Sequence, residues 1–287
     1  MNMNLVFLIF MNGLTYSGLL FMCASGLTLI FGLMRVVNMS HGVFYLFGAY
    51  IGLVVQRATG NWFLAIAAGG LFVALMAVII KIVLFRKVIE NDLQVTLLTL
   101  GISMVVGDVI LGIFGGMPQV ITVSRQIARP ISIGGFFYPG TRLFILSIAI
   151  IQGILLWLLM QKTRLGQIIR AGVDNRDMVS AMGIDVERVF TIVFFLGGFL
   201  AGMSGVMGGS YLAFLIGTDM TILTYSLVVV IVGGVGSLGG AALGALFIGM
   251  IDSVTKSLVP NLSMVLIFGA LMMVLAFRPS GIFGKGQ

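Results

Sequence analysis

Few residues of this chain could perform covalent or metal chemistry. His41 is the only histidine, Cys23 is the only cysteine, and the nine acidic residues form no cluster. A protein metal site usually needs several nitrogen, sulfur or oxygen ligands close together, so we predict no metal and no cofactor. A single cysteine also excludes an intrachain disulfide. We therefore expect no catalytic residues and no enzyme activity from the chain itself.

Three glycines spell a nucleotide-binding motif that their surroundings contradict. Gly234, Gly236 and Gly239 have the spacing G-x-G-x-x-G, but that site requires a strand before it and a soluble βαβ unit around it. Apolar runs flank it instead, and no G-x-x-x-x-G-K-[ST] occurs in the chain. We interpret these glycines as a tight turn followed by close helix packing. Glycines four residues apart predict further close helix contacts: Gly112 and Gly116, Gly198 and Gly202, Gly205 and Gly209, and Gly240 and Gly244.

Two carboxylates fall inside apolar runs, where a charge is costly and usually functional. Asp252 precedes Lys256 by four residues, which places both on one helix face. Either an internal ion pair or a functional role would account for it. Asp108 has no obvious partner nearby in the sequence and stays a functional candidate. Asp219 lies at a predicted outer turn and needs no special role.

These polar residues must be positioned by a chain that is otherwise strongly apolar. Hydrophobic residues make up 60% of the sequence, charged residues make up 9%, and the mean hydropathy is +1.19. Apolar runs of about twenty residues, the length of a transmembrane helix, recur throughout. We predict an all-α polytopic membrane protein. The net charge of +7 then reflects basic cytoplasmic loops and does not indicate nucleic-acid binding.

The apolar runs predict about eight to ten transmembrane helices in a single domain, residues 1–287. The first run is long enough for either one tilted helix or two tight crossings. The predicted spans are 7–34, 41–56, 62–80, 93–115, 143–160, 189–216, 221–235, 239–257 and 262–277.

Basic residues predict which loops face the cytoplasm. Lys81, Arg86 and Lys87 mark one cytoplasmic loop, and residues 162–188 form a second. With nine spans, the N-terminus lies outside. The loop 117–142 falls on the outer side although it carries three arginines. Because it is rich in proline and glycine, we predict an extracytoplasmic loop whose charges are the exception.

Two predicted spans, 41–56 and 221–235, are short and bounded by helix breakers. They lie five spans apart and so run in opposite directions, which is typical of an inverted repeat with the substrate path between its halves. Asn38 and Ser40 are expected to cap the first short helix, with the alternative that they point donors into the path. The candidate path residues are Asn38, Ser40, His41, Gly42, Gly234, Gly236, Ser237 and Gly239.

The loop 162–188 is the longest polar interruption of the chain, and its sequence predicts a small folded unit. Asp174 or Asn175 could begin a helix, and Gly183 could end it. Met178, Val179 and Met182 would form an apolar face on this exposed helix, 174–183, and such a face usually binds a partner; a plain solvated loop is the alternative. The candidate docking residues are Arg170, Asp174, Asn175, Met178, Met182 and Gly183.

Three blocks of the chain resemble a known family. They are GLTLIFGLMRVVNMSHGVFYLFGAY (26–50), TRLGQIIRAGVDNRDMVSAMGIDVERV (163–189) and VVVIVGGVGSLGGAALGALFIG (228–249). Together they resemble the permease subunits of ABC importers for branched-chain amino acids, most closely the permease that pairs with a second, different permease. The resemblance implies an ABC importer permease fold with an internal inverted repeat. It also implies that the 163–189 block docks onto cytoplasmic ATPase subunits.

The resemblance implies a set of partners and a location. It implies two ATP-binding subunits at the cytoplasmic face, a second permease chain, a periplasmic or extracellular substrate-binding protein, and the bacterial inner membrane. This chain would form half of a pathway for branched-chain or other small hydrophobic amino acids. Related permeases move urea, amides or small aromatic acids, so these substrates stay open. A secondary transporter driven by an ion gradient is the main alternative class, and a channel is the third.

Overall fold

The chain folds almost entirely into helices, because a backbone in lipid must satisfy its hydrogen bonds within the chain. The structure is a computed structural model that describes residues 3–34, 37–85 and 92–284. The elements in chain order are α1 Met3–Met34, α2 His41–Thr59, α3 Trp62–Val83, α4 Asp92–Phe114, α5 Arg125–Ala128, β1 Pro130–Ile133, β2 Phe136–Pro139, α6 Gly140–Lys162, α7 Arg164–Asp174, α8 Arg176–Ala181, α9 Val186–Tyr211, α10 Thr218–Gly233, α11 Leu238–Leu258, a 3₁₀ turn Pro260–Leu262 and α12 Ser263–Phe277.

Seven helical stretches in the described ranges are long and apolar enough to cross a membrane: α1, α3, α4, α6, α9, α11 and Pro260–Phe277. α2 has 19 residues and α10 has 16, and they are the two segments that the sequence marked as short. Neither is among the seven, so the described residues contain fewer helices of this kind than the eight to ten predicted. α1 is one continuous helix of 32 residues, so the first apolar run crosses once.

One end of the bundle carries the polar loop 162–188. Lys81 near the end of α3 is buried, and its Nζ donates to Glu187 Oε2 at 2.6 Å near the start of α9. The two loops predicted to be cytoplasmic therefore lie at the same end. Arg86 and Lys87, which also predicted this side, lie outside the described residues.

The loop 117–142 lies at the opposite end and is more ordered than the sequence indicated. It contains α5 and the antiparallel hairpin β1–β2. Gln119 exchanges backbone hydrogen bonds with Phe214, beyond the far end of α9. The guanidinium of Arg142 stacks 5.0 Å from the centre of the Tyr211 ring. One of the three arginines of this loop therefore contacts an aromatic ring of the bundle.

Helices from the first half of the chain pack against helices from the second half. α1 and α9 pack side by side; α1 also packs against α11, and α9 packs against α3. α2 contacts α9 and α3, whereas α10 contacts α1 and α11. A first half, α1–α4, thus repeats the packing of a second half, α9–α12. α1 starts at the end that carries the loop 117–142 and α9 at the end that carries the loop 162–188, so the packing has the form of the predicted inverted repeat.

Close helix packing explains three of the four predicted glycine pairs. A Cβ on Gly198 would come within 2.7 Å of Ala77 Cβ on α3, and one on Gly244 within 2.5 Å of Val229 O on α10. The prediction for Gly112 and Gly116 is wrong within the described residues. No other helix among the described residues lies within 4 Å of a Cβ at either position, and Gly116 lies beyond the end of α4.

Candidate functional site: a membrane-deep groove and a cytoplasmic loop

A groove of about 1780 Å³ runs along one side of the bundle. α1 contributes residues from Leu14 to Gly32, and α6 and α11 contribute the walls. At 1.5 Å per residue this stretch of α1 is roughly 27 Å long, close to the roughly 30 Å of a bilayer core. Ile150 on α6 and Leu243 on α11 line the groove and are exposed. The groove is therefore about as deep as the bilayer and open along one side.

Polar groups gather where the groove meets the cytoplasmic loop. Arg170 Nη1 on α7 donates to Gln161 Oε1 at 2.7 Å, and both residues line the groove. Gly236 and Ser237 line the same end. Arg170 was predicted as a docking residue, and the structure places it on the groove. The groove thus has mainly apolar walls and one basic, polar end.

The glycine motif forms the turn between α10 and α11, as predicted. Gly234 has φ +102° and Gly236 has φ +74°, conformations that favour glycine. Ser237 Oγ accepts the Gly240 N–H at 3.0 Å and so caps α11. Gly239 has open space beside it. Gly236, Ser237 and Gly239 line the groove, and their assignment to a substrate path stays a prediction.

The segment before α2 is packed inside the bundle and does not line the groove. Asn38 Oδ1 accepts the N–H of Ser40 at 3.1 Å and its hydroxyl at 2.6 Å. Thr99 Oγ1 on α4 accepts the Met39 N–H at 3.0 Å. The prediction that Ser40 caps α2 through its side chain is wrong, because its hydroxyl is bonded to Asn38 and makes no cap hydrogen bond. Asn38 organises the turn in its place.

Gly42 and His41 fix the start of α2 against its neighbours. A Cβ on Gly42 would overlap the Asp219 carbonyl and lie 2.9 Å from Leu223 Cβ, so the N-terminal ends of α2 and α10 touch. His41 Nε2 donates to the Cys23 carbonyl on α1 at 3.0 Å. Its ring is fully buried, and its Nδ1 has no partner among the described residues. The lone histidine therefore joins α2 to α1.

The intramembrane carboxylates occupy different environments. Asp252 is buried, its Oδ2 lies 2.8 Å from Lys256 Nζ, and its Oδ1 accepts from Ser263 Oγ at 2.8 Å. The predicted internal pair is confirmed. Asp108 lies on an exposed face of α4 and makes no hydrogen bond or ion pair with the described residues. Asp219 follows the predicted outer turn, where it is buried.

The loop 162–188, predicted to be cytoplasmic, folds into the two short helices α7 and α8. Asn175 Oδ1 accepts the Met178 N–H at 3.0 Å and caps α8. Gly183 follows α8 with φ +79°, the left-handed conformation in which helices commonly end. The predicted start and stop are confirmed, with Asn175 as the cap. α8 is shorter than the predicted helix 174–183.

One residue of the predicted apolar face of α8 is buried against the chain, and the other two are exposed. Val179 is 3% exposed, whereas Met178 is 61% and Met182 is 73% exposed. Val179 thus anchors α8 to the chain, and the two methionines remain free for a partner. The side chain of Asp174, another predicted docking residue, lies outside the described part of the structure. Docking itself stays a prediction.

The sequence reading missed α7. Thr163 Oγ1 accepts the Gly166 N–H at 3.1 Å and caps this helix. Ile169 is buried, and Val173 lines the groove. Leu165, Ile169 and Val173 recur at helical spacing after a capping threonine, so the signal was present. The charged residues of the same stretch, such as Arg164 and Arg170, obscure this apolar spacing.

A helical bundle with a bilayer-deep groove defines the class of the protein: it is a multi-pass membrane permease. The family model described as "Branched-chain amino acid transport system / permease component" matches residues 9–277. The chain belongs to this family. It is therefore a transport subunit and not an enzyme.

Curated relatives cover nearly the whole chain. It is 26% identical to the high-affinity branched-chain amino acid transport system permease protein LivH of Salmonella typhimurium, over 96% of this chain and 94% of the relative. It is 24% identical to the permease protein BraD of Pseudomonas aeruginosa, over 96% and 95%. A probable LivH of Methanocaldococcus jannaschii is 26% identical over 83% and 77%. No solved structure matches the chain.

Proposed function

We propose that this chain forms half of the translocation pathway of an ATP-driven importer in the bacterial inner (plasma) membrane. Its substrates are branched-chain or other small hydrophobic amino acids. The observation that carries the proposal is the groove, which is as deep as the bilayer, mainly apolar and open along one side. The relatives, whose names specify branched-chain amino acid transport, support the substrate class.

A second, different permease chain completes the pathway by facing the open side of the groove. The groove volume of about 1780 Å³ exceeds the roughly 300–1,000 Å³ of ordinary small-molecule sites. It is therefore too large to hold one amino acid without a further wall. A soluble extracytoplasmic binding protein delivers the substrate at the end that carries the loop 117–142.

Two ATP-binding subunits dock at the cytoplasmic loop. Met178 and Met182 are exposed on the outer side of α8, and thioether side chains adapt well to irregular partner surfaces. α8 packs against α7 and α9, and α7 packs against α1 along the groove. Closure of the ATPase dimer would push α8, and these contacts would pass the movement to the helices that line the pathway.

Uptake by the reconstituted complex tests the function. Proteoliposomes would contain this permease, its partner permease, the ATPases and the binding protein, with leucine, isoleucine, valine, urea, an amide and a small aromatic acid as substrates. We expect ATP-dependent uptake of the branched-chain amino acids. Uptake confined to urea, amides or aromatic acids would contradict the proposed substrate class. Uptake in the absence of the ATPase subunits would contradict the ATP-driven mechanism.

Co-purification of the ATPase tests the docking surface. Met178→Asp and Met182→Asp place a charge in the proposed contact, and the loss of a central interface anchor typically costs about 2 kcal/mol or more of binding. We expect the ATPase to dissociate while the permease still inserts. Met117→Asp is the matched control, because Met117 is 74% exposed at the opposite end of the bundle. Equal co-purification by all three variants would rule out docking at α8.

Asp108 supplies the test against an ion-gradient transporter, since it is the intramembrane carboxylate without a partner in the described chain. An importer driven by ATP needs no proton-coupling residue, so we expect Asp108→Asn to keep most of its uptake. Abolished uptake in this variant, together with loss of wild-type uptake when the proton gradient is collapsed at constant ATP, would favour the secondary transporter.

A further inference from the structure

A second, smaller cavity of about 150 Å³ lies in the outer half of the bundle. α1, α2, α9 and α10 surround it, and it shares no lining residue with the groove. It lies beside the N-terminal ends of the two short helices, with Tyr45 from the second turn of α2 and Thr218 from the first turn of α10. The place where the two halves of the inverted repeat meet is therefore hollow.

Three buried phenols without partners line this cavity. Tyr16, Tyr45 and Tyr225 are 7%, 6% and 5% exposed, and none of their hydroxyls makes a hydrogen bond to a described residue. Their hydroxyl oxygens keep accessible surface, unlike that of Tyr50, so they reach the cavity space. Three hydroxyls around one cavity can donate hydrogen bonds to a group bound there. Leu20 and Phe214 contribute apolar wall, and Tyr211, Thr218 and Thr221 add further polar side chains.

Positive charge lies at the same cavity. Lys256 lines it, is half-exposed, and places its Nζ 5.0 Å from the centre of the Tyr16 ring. Asp252 pairs with Lys256 at 2.8 Å and acts electrostatically on Tyr16 and Tyr225, but it does not line the cavity. Lys256 is the charged side chain that lines the cavity, and its ammonium group favours a negatively charged acceptor there.

The size of the cavity limits the ligand. An apolar cavity of about 150 Å³ accepts benzene, so this one accommodates a body of about four to six carbons. A leucine-like isobutyl group fits this volume with its carboxylate near Lys256 and the phenols. Larger aromatic side chains with a carboxylate exceed it.

We propose that this cavity is a binding subsite for a small carboxylate with a branched apolar body, held by Lys256 and the hydroxyls of Tyr16, Tyr45 and Tyr225. A branched-chain amino acid has this chemistry. Its identification as the transported substrate rests on the proposed function. The ligand class follows from the cavity alone.

Saturation-transfer NMR on the purified complex in nanodiscs, without the binding protein, tests the subsite. The probes are leucine, isovalerate, which lacks the ammonium group, and isopentylamine, which lacks the carboxylate. We expect transfer to the methyl groups of leucine and isovalerate and little to isopentylamine. Equal transfer to isopentylamine, or transfer to none of the three probes, would overturn the proposal.

Phenol-to-phenyl variants locate the bound probe. Tyr45→Phe and Tyr225→Phe keep the ring packing and remove one hydroxyl, so we expect isovalerate to bind about threefold to tenfold more weakly. Tyr50→Phe is the matched control, because Tyr50 is 1% exposed and its hydroxyl also lacks a partner, but it does not line the cavity. Lys256→Gln should weaken isovalerate more than it weakens a neutral amide of the same shape.

The outcomes separate the subsite from the proposed function. Unchanged isovalerate binding in Tyr45→Phe, Tyr225→Phe and Lys256→Gln would overturn the subsite even if ATP-dependent leucine uptake persists. Binding that falls in these variants but not in Tyr50→Phe would support the subsite. If the same wild-type complex then shows no ATP-dependent uptake of branched-chain amino acids, the proposed function fails and the subsite stands.

Discussion

Two interruptions of the membrane helices differ in what surrounds them. The α2 lead-in, residues 37–42, is packed inside the bundle between α1, α4 and α10. The α10–α11 turn, residues 234–239, lies at the cytoplasmic end of the groove. The sequence predicted that both interruptions line one substrate path, but in the structure they have different neighbours. The repeat pairs α2 with α10, and the lead-in precedes α2 whereas the turn follows α10, so the two interruptions are not equivalent positions.

The glycines and serines of the two interruptions have different structural roles. Gly42 lacks a side chain because another helix touches it, whereas Gly236 is needed for its positive φ. Ser237 caps the following helix, whereas the hydroxyl of Ser40 bonds to Asn38. The same residue types thus serve packing in one interruption and turn geometry in the other. Substitutions can separate these roles.

The largest expected effect is that of Gly42→Val in the α2 lead-in. A Cβ would already overlap the Asp219 carbonyl, and overpacking usually costs about 1–3 kcal/mol or more. We expect a strong fall in folded permease, measured as monodisperse protein in size-exclusion chromatography and as Tm. Gly239→Ala is the control from the other interruption. Wild-type abundance and Tm in Gly42→Val would break the comparison, because the lead-in would not be tightly packed.

Gly236→Ala should affect transport more than abundance. Its φ of +74° costs a residue with a side chain about 1–2 kcal/mol, and the residue lines the groove. We expect a modest fall in Tm and a larger fall in ATP-dependent leucine uptake at matched abundance. Uptake that falls only in proportion to folded protein would mean that the α10–α11 turn has no part in the path.

Cap exchange at the two serines gives a smaller effect with a clear direction. Ser237→Ala should cost about 1 kcal/mol of stability, and Ser237→Asn should restore most of it, because asparagine also caps helices. Ser40→Asn should be no more stable than Ser40→Ala, since the Ser40 side chain makes no cap hydrogen bond. Thermal unfolding of the four variants measures this. Rescue at Ser40, or none at Ser237, would contradict the assignment of roles.

The smallest effect is expected for Gly239→Ala. No atom lies within 4 Å of a Cβ at this position in α11, and alanine is favoured over glycine in helices by about 1 kcal/mol or less. We expect an unchanged or slightly raised Tm and normal leucine uptake. A clear loss of uptake would show that another chain contacts this position in the assembled transporter.

Several features could be read from the sequence because they depend on neighbours along the chain. The apolar runs predicted the membrane helices, Asn175 and Gly183 predicted the limits of α8, and the four-residue spacing predicted the ion pair of Asp252 with Lys256. Helix length, capping and (i, i+4) contacts follow from local geometry. They do not require knowledge of which helices meet.

Other features were decided only when the helices packed. The burial of the α2 lead-in, the open face at Gly112 and the phenol-lined cavity could not be predicted. A membrane helix is apolar on its lipid face and its buried face alike, so its pattern does not reveal which side turns inward. Sequence alone thus determined a multi-pass helical membrane protein with a folded polar loop. Tertiary packing decided which breaks are buried, which line the groove, and where Tyr16, Tyr45 and Tyr225 surround a cavity, because these depend on contacts between residues far apart in the chain.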